Sequence, residues 1–296
     1  MNPTTAVLGP GAVGGSHAAR LATNGVPVVC VAHPEAAGLI ALAGLVVESP
    51  DGTLSARLEV VEQLSKPVGL LLVTVKAPAL EDAIERIDPD AVSDGVVVPL
   101  LNGLEHMEVL RERFGNRVFA GTISHFQAYR AGRVQIIEAT GAPVVTIASE
   151  ALPRSEVEAA AELLRRARID VRVAQSEKRV LWHKLARIAP LAAASAASGK
   201  SVGELRADPE WRPRLESAIA EACEVAAADG VGLRASTQWT IIDEMAAETK
   251  PSAARDVAAG RRSELDAITG SVLRTAERLG VPCPALTDLA AAAGLR

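Results

Sequence analysis

Residues 5–15 read TAVLGPGAVGG: a short apolar run, the spacing G-x-G-x-x-G, and small residues suited to the start of a helix. Gly9 permits a tight turn with an unusual φ, Gly11 lets a pyrophosphate approach the backbone, and Gly14 lets the helix pack close to the strand. The first N–H groups of such a helix hold negative charge. The stretch predicts a dinucleotide site whose candidate contacts are Gly9, Pro10, Gly11, Ala12, Val13 and Gly14.

The sequence around this turn favours a bound cofactor over a glycine-rich turn with no ligand. The motif is weak when it occurs alone, because any tight turn can use glycine. Here it follows a strand-like run, and a second such run over residues 27–32 follows about one helix later. That order is the one a dinucleotide-binding βαβ unit requires.

Composition and charge exclude several classes of protein. The net charge is −5 and the basic residues are dispersed, so no nucleic-acid-binding face is expected. Three widely spaced cysteines fit neither a disulfide framework nor a metal site, and no H-x-x-x-H or H-x-H pair supplies metal ligands. No signal peptide or membrane span is predicted, so we expect a cytoplasmic protein without membrane contact.

The first half of the chain alternates between apolar runs and helical segments. Four nearly uninterrupted apolar runs predict parallel strands at 5–8, 28–32, 69–75 and 95–100. Helices are predicted among them at 17–24, 34–43, 79–87 and 105–114. This series predicts an α/β fold with a Rossmann-type doubly wound sheet. Later strand-like runs without long helices between them predict an antiparallel extension of that sheet, at 118–123, 134–138 and 144–148.

Beyond residue 176 the sequence predicts helices alone. Glycine and proline separate the predicted helices at 176–198, 209–229, 236–245, 255–279 and 284–293. We therefore predict a dinucleotide-binding domain over residues 1–174 and an all-α substrate and catalytic domain over residues 175–296. We expect an active-site cleft between them, at the carboxyl ends of the parallel strands.

Polar side chains follow two consecutive predicted strands. Lys76 comes after the third strand and Asn102 after the fourth. In a doubly wound sheet such positions border the cofactor crevice. The alternatives are a solvated lysine at a strand end and a plain Asn-Gly turn.

Lys184 is a candidate general acid. It shares a helical stripe with Leu181 and Ile188, and a lysine among apolar neighbours has a lowered pKa that suits proton transfer near neutral pH. The alternative is a lysine at the edge of the stripe whose amine reaches water.

Glu264 and Ser252 are further candidates in the last third of the chain. Glu264 follows two arginines, so a structural ion pair is the alternative to a functional carboxylate. Ser252 follows a proline and is a candidate N-cap. The chain has no G-x-S-x-G elbow and no P-loop lysine, which argues against a hydrolase or an NTPase.

Together these motifs resemble the ketopantoate reductase family over essentially the whole chain. The matching segments are GPGAVGG at 9–15, TVK at 74–76, LNGLE at 101–105, Gly121-Thr122 with His125, WHKL at 182–185 and RRSELD at 261–266, with Ser252 upstream of Glu264. The combination is specific although each segment is modest alone.

The resemblance implies an NADP-dependent oxidoreductase in which NADPH delivers a hydride to the C2 carbonyl of a 2-oxo acid. It implies that Lys184 protonates and stabilises the developing alkoxide, that Glu264 holds the substrate hydroxyl, and that Ser252 contacts the substrate carboxylate. Asn102 and Lys76 match a polar pair near the nicotinamide and the substrate.

Four positions depart from the family pattern. Ile188 and Ala192 replace asparagines four and eight residues after the matching lysine, which suggests a less polar pocket. His33 replaces an arginine that holds the 2′-phosphate, yet no acidic residue between Val29 and Ala32 is present to hold a 2′-hydroxyl, so NADPH stays favoured over NADH. Pro190 predicts a local kink that affects the direction of Lys184.

Three hypotheses remain open from the sequence. The first is reduction of 2-dehydropantoate (ketopantoate) to pantoate for pantothenate and coenzyme A synthesis. The second is a related reductase of another 2-oxo or 3-oxo acid, and the third is an NADPH-binding sensor without chemistry. A small-molecule 2-oxo acid is the expected partner, no metal is expected, and the alanine-rich helices leave a homodimer open.

Overall fold

The computed structural model describes residues 4–295. Within this range the chain folds into two compact units. The first unit runs to Leu101 and resumes over His106–Val180, whereas the second combines Asn102–Glu105 with the chain from Leu181 onward. No sequence feature indicated that Asn102–Glu105 would pack with the later residues. The domain limits of 1–174 and 175–296 stay a prediction.

In the described part of the chain, the strands all lie in the first unit, whereas the second unit is helical. The strands are β1 (Thr5–Leu8), β2 (Val28–Val31), β3 (Leu45–Ser49), β4 (Gly52–Ala56), β5 (Glu59–Val61), β6 (Leu70–Val73), β7 (Val96–Pro99), β8 (Ala120–Ser124), β9 (Ala128–Arg130), β10 (Gln135–Glu138), β11 (Val144–Ala148) and β12 (Asp170–Val173). The α-helices are α1 (Ala12–Thr23), α2 (Pro34–Ala43), α3 (Leu80–Ile84), α4 (His106–Phe114), α5 (Arg154–Arg165), α6 (Glu177–Ser198), α7 (Val202–Ala207), α8 (Trp211–Ala228), α9 (Ala235–Asp243), α10 (Ser252–Ala258), α11 (Ser271–Leu279) and α12 (Pro284–Ala292). A π-helical turn spans Asp266–Gly270.

Five parallel strands in the order β5-β2-β1-β6-β7 form the main sheet. Every residue of β1, β6 and β7 is buried, as expected for apolar strands of a parallel sheet covered on both faces. From β1 the chain adds β2 and β5 on one side of this strand and then crosses to add β6 and β7 on the other. Doubly wound sheets bind ligands at the point where the strand order reverses in this way. The predicted α/β fold with a helical C-terminal region is confirmed.

Close packing fixes the turn that follows β1. Gly9 has φ +82°, and a Cβ there would lie 2.4 Å from Val75 Cγ1. A Cβ on Gly14 would lie 2.1 Å from Thr74 Oγ1. The Thr74 hydroxyl, which lies 2.9 Å from Leu8 O and 2.8 Å from Gly9 O, donates between these two carbonyl oxygens. The residue after β6 therefore holds the turn after β1, and both glycines are needed for that contact.

A buried ion pair attaches α1 to the second sheet of the first unit. Arg20 donates to both carboxylate oxygens of Glu138 on β10, and the Ser16 hydroxyl donates to the same carboxylate. A Cβ on Gly15 would lie 2.5 Å from Ile136 Cδ1, so the helix and β10 are in close contact. Because removing one partner would leave an uncompensated buried charge, this pair fixes the helix that begins at the glycine turn.

The predicted antiparallel extension of the main sheet is wrong in its placement. β8 and β11 do pair in antiparallel fashion, but they form a three-stranded sheet of their own in which β12 is parallel to β11. An isolated parallel bridge between Val97 and Val118 links this sheet to β7. β10 lies in a four-stranded sheet of order β4-β3-β10-β9. The strands β3, β4, β5 and β9 were not predicted, and β3 with β4 forms a hairpin that gives β10 its parallel neighbour.

The second unit is helical around an aliphatic core. Its largest fully buried side chain is Trp182 on α6, whose indole N–H donates to Asp229 Oδ2 at 2.9 Å. The helix α6 is continuous over 22 residues although it contains Pro190. The alanine-rich face of α8 is buried in this same core.

The single helix predicted over residues 255–279 is wrong. The chain forms α10, a break, the π-helical turn and α11 instead. Gly260 lies in the break with φ +64°, a conformation that ends a helix. The helix α7 was also not predicted. The break is important for the site, because it contains Glu264.

Membrane-spanning helices are absent from the part of the chain that the structure describes, since no helix there combines the required length with sufficient hydropathy.

Replacing Gly14 by alanine is predicted to lower the free energy of unfolding, because the new Cβ would overlap Thr74 Oγ1 and lie 2.4 Å from Gly9 O. Overpacking of this kind costs about 1–3 kcal/mol. Urea unfolding measures the change. Gly38→Ala on α2 is the matched control, because its Cβ meets no atom within 4 Å and we expect it to be neutral or stabilising. A Gly14→Ala protein as stable as wild type would contradict the packing described here.

Candidate functional site

The glycine turn leaves room for a ligand at one position only among its three motif glycines. A Cβ on Gly11 would have just one neighbour, Gly9 O at 3.9 Å, whereas Gly9 and Gly14 are tightly packed. Gly11 is also the N-cap of α1 and provides no side-chain hydrogen bond to the first turn. The first N–H groups of α1, including those of Ala12 and Val13, have no intrahelical partner. The turn therefore fits a pyrophosphate group.

Two further candidates for cofactor binding lie at the same edge of the main sheet. Leu8, Val31 and Val73 are aligned in the strand register, so β1, β2 and β6 end at the same height. His33 follows β2 as the exposed N-cap of α2. Lys76 follows β6, is exposed, and precedes a short 3₁₀ turn. The first unit thus brings the glycine turn, His33 and Lys76 to one edge.

Lys184 and Glu264 form an electrostatic pair in the second unit. Lys184 is partly buried on the face of α6 that carries Leu181 and Ile188. Burial lowers the pKa of its amine to about 8, the positive charge of Arg187 lowers it as well, and the carboxylate of Glu264 opposes both effects. A lysine with this pKa carries a proton at neutral pH and can release it to a more basic atom.

Glu264 is held by the irregular backbone between α10 and α11. It is only 8% exposed, and its carbonyl oxygen accepts a hydrogen bond from Ile268 N, within the π-helical turn, at 2.9 Å. The π-helical turn follows almost directly and continues into α11. Such turns are rare and frequently occur at functional sites. The position of this carboxylate depends on that local backbone.

Asn102 joins the second unit through its neighbour Gly103. Gly103 has φ +100°, and a Cβ there would lie 2.2 Å from Ala267 O in the π-helical turn. The backbone of the Asn102–Glu105 segment therefore lies directly against the segment that follows Glu264. The side-chain oxygen of Asn102 is buried and has no hydrogen-bond partner. An orphan acceptor of this kind is costly unless a ligand satisfies it.

Ser252 is connected to the same region indirectly. It is exposed and is the first residue of α10, so the predicted N-cap role is wrong because Pro251 occupies the cap position. The Ser263 hydroxyl donates to Ala253 O at 2.9 Å, which ties the start of α10 to the residue before Glu264. Ser263 was not recognised from the sequence, although its position beside Glu264 marks it as a neighbour of the site.

Arg187 is another residue that the sequence analysis missed. It donates to His183 O at 2.5 Å and to the buried Gln238 side chain at 3.2 Å. Its position three residues after Lys184 on one helix would have indicated the contact. The positive charge of Arg187 acts on the Lys184 amine, and Gln238 on α9 helps to hold the guanidinium that carries this charge.

Metal ligation has no structural basis in residues 4–295, since no group of three His, Cys, Asp or Glu side chains there is placed to hold an ion.

Comparison with known families gives two matches that together span most of the chain. The family model described as ketopantoate reductase PanE/ApbA matches residues 5–149, and its C-terminal counterpart matches residues 178–295. A 2-dehydropantoate 2-reductase of Halobacterium salinarum is 27% identical over 293 residues, which cover 96% of this chain and 95% of that protein.

Solved structures of similar fold include two different enzymes. The crystal structure of 2-dehydropantoate 2-reductase from Geobacter metallireducens GS-15 is 26% identical, covers 98% of this chain and 99% of its own, and has a TM-score of 0.88. The ternary structure of D-mandelate dehydrogenase with NADH and anilino(oxo)acetate has the same TM-score at 20% identity, covering 98% and 97%. The latter similarity shows the fold alone.

The pKa of Lys184 is predicted to fall below about 8 in the variant Glu264→Gln, because the carboxylate is what opposes burial and Arg187. The variant Arg187→Gln should raise this pKa. NMR titration of protein whose lysines carry ¹³C-methyl groups measures both changes. Glu216→Gln, which changes an exposed residue on α8, is the control and should leave the pKa of Lys184 unchanged. A pKa insensitive to Glu264→Gln would show that the two groups do not interact.

Proposed function

The chain belongs to the ketopantoate reductase family and is an oxidoreductase, and on that premise we propose that it reduces 2-dehydropantoate to pantoate with NADPH. Pantoate would serve pantothenate and coenzyme A synthesis. When bound, the reduced nicotinamide supplies the hydride that adds to the C2 carbonyl carbon. The chain's own residues bind and orient the reactants and supply the proton.

The observation that carries this proposal is the position of the Lys184 amine, which is partly buried and interacts electrostatically with Glu264. Hydride addition leaves negative charge on the former carbonyl oxygen. A protonated lysine stabilises that charge as it develops and then donates the proton, so one residue is both the electrostatic stabiliser and the general acid. Its pKa of about 8 matches a proton donor that works near neutral pH.

Three other residues would bind the substrate. We assign Glu264 to the substrate hydroxyl, because a buried carboxylate accepts a hydrogen bond that an apolar analogue cannot provide. Asn102 has an unpaired side-chain oxygen, so its amide is available to the substrate or to the nicotinamide. Ser252 has an exposed hydroxyl that suits the substrate carboxylate.

The cofactor would be held by the glycine turn and by the residues at the edge of the main sheet. Gly11 and the first turn of α1 would take the pyrophosphate, and Lys76 would lie near the nicotinamide. We propose NADPH over NADH, because β2 ends without a carboxylate for a 2′-hydroxyl and because the His33 imidazole can donate to a 2′-phosphate.

A second candidate function is reduction of a more apolar 2-oxo acid. Ile188 lies four residues after Lys184 and packs partly against the helical core, and Ala192 is 1% exposed. These side chains offer no hydrogen bonds to a substrate. They would tolerate an apolar side chain better than a hydroxylated one.

The variant Lys184→Ala is expected to lose about 10²–10⁴-fold in kcat, the usual contribution of a general acid. Stopped-flow and steady-state absorbance at the NADPH band measure the loss, and fluorescence titration should show NADPH binding retained. Lys250→Ala is the control, because this exposed amine donates only to Gly199 O among the described contacts. Wild-type turnover by Lys184→Ala would overturn the catalytic assignment.

A substrate pair tests which acid is reduced. Trimethylpyruvate is 2-dehydropantoate without its hydroxyl. A site that binds this hydroxyl through Glu264 should therefore discriminate against trimethylpyruvate, by up to about 10⁴-fold in kcat/KM. We expect preference for 2-dehydropantoate. Equal or faster reduction of trimethylpyruvate would favour the second candidate function. NADPH binding with no reduction of either acid, nor of a wider oxo-acid panel, would indicate a sensor without chemistry.

A further inference from the structure

Arg274 on α11 connects two segments that are far apart in the sequence. Its Nε and Nη2 atoms donate to the two carboxylate oxygens of Glu105 at 2.6 and 2.8 Å, and its Nη1 donates to Asp266 Oδ1 at 2.9 Å. We call these three residues the Arg274 bridge. A guanidinium matches a carboxylate in this two-point geometry, which fixes direction as well as distance. Both carboxylates raise the pKa of Arg274.

The space for the Arg274 bridge is built into the backbone. A Cβ on Gly270 would lie 2.4 Å from Asp266 Oδ1 and 2.9 Å from Arg274 Nη1. The last residue of the π-helical turn must therefore be glycine for the bridge to form as observed. A larger residue at this position would displace the Asp266 carboxylate and the Arg274 guanidinium from the positions in which they pair.

Each end of the Arg274 bridge lies within three residues of a residue of the candidate site. Glu105 ends the Asn102–Glu105 segment, whose first residue carries the unpaired amide oxygen. Asp266 comes two residues after Glu264 and begins the π-helical turn. The bridge therefore joins the segment of Asn102 to the segment of Glu264, both within the second unit.

The Asn102–Glu105 segment also makes packing contacts with the second unit. Gly103 lies against Ala267 O, and Leu104 packs against the helical core. Contacts of this kind limit the approach of the two segments but not their alignment. Directional hydrogen bonds from Arg274 supply the alignment that apolar contacts do not.

We propose that Arg274 is a positioning residue that holds the Asn102 side chain in register with Glu264. The inference rests on the proposed function, in which both residues bind the reactants. Arg274 acts through Glu105 and Asp266 and does not itself touch the reactants. The three side chains are 44–67% exposed, so loss of the bridge should change local alignment far more than the stability of the fold.

The variant Arg274→Gln is expected to reduce kcat for 2-dehydropantoate by about 10- to 100-fold, the effect of a small misplacement of a binding group. The dissociation constant for NADPH and the melting temperature should stay near wild type. Arg274→Lys should rescue only part of the loss, because an ammonium keeps the charge without the two-point geometry. Arg278→Gln on the same helix is the matched control and should retain full activity.

A double-mutant cycle with Glu105→Gln separates positioning from general disruption. If both residues act through one bridge, the double variant should lose no more activity than the worse single variant. Fully additive losses, or wild-type kcat in Arg274→Gln, would overturn the proposal. An Arg274→Gln protein with a much lower melting temperature would also overturn it, because the residue would then be structural.

A spectroscopic readout keeps this inference separate from the proposed function. Selective ¹⁵N labelling of asparagine gives only four side-chain amide pairs in this chain, and Asn102→Asp identifies the relevant one. Its resonance should move in Arg274→Gln and stay in place in Arg278→Gln. If wild-type protein does not reduce 2-dehydropantoate, the proposed function fails, and an unmoved Asn102 resonance would additionally overturn the positioning role.

Discussion

The candidate site depends on the balance of charge at the amine of Lys184. Burial and Arg187 disfavour its proton, Glu264 favours it, and the result is a pKa of about 8. A solvated lysine has a pKa too high for a proton donor at neutral pH. A buried lysine without a neighbouring carboxylate has a pKa that is too low. The helices of the second unit and the irregular segment around Glu264 maintain this balance.

Glycines determine the backbone geometry at two places in the structure, because they have no side chain. In the first unit, Gly14 allows α1 to pack against Thr74, while Gly11 in the same turn is open enough for a phosphate. In the second unit, Gly103 allows the Asn102 segment to lie against Ala267 in the π-helical turn. At both places a close backbone contact that only glycine permits brings a segment with a polar side chain against its neighbour. This explains why the sequence has glycine at these positions, beyond the needs of turn formation.

The sequence predicted the features that depend on local pattern. The apolar runs gave the parallel strands, and the stripe around Lys184 gave its partly buried position, because both follow from the period of one element. The hairpin of β3 and β4, the break at Gly260 and the π-helical turn were missed, because tertiary contacts decide them. The contact between Arg274 and Glu105 joins residues 169 positions apart, and no periodicity encodes such a pair.

The pH dependence of kcat/KM for NADPH-driven reduction of 2-dehydropantoate tests the central claim most directly. A general acid must be protonated in the free enzyme, so kcat/KM should be level below the pKa of Lys184 and fall about tenfold per pH unit above it. The decline should begin near pH 8, where Lys184 loses its proton. A rate that stays level to pH 10, or that rises as pH passes 8, would contradict the account.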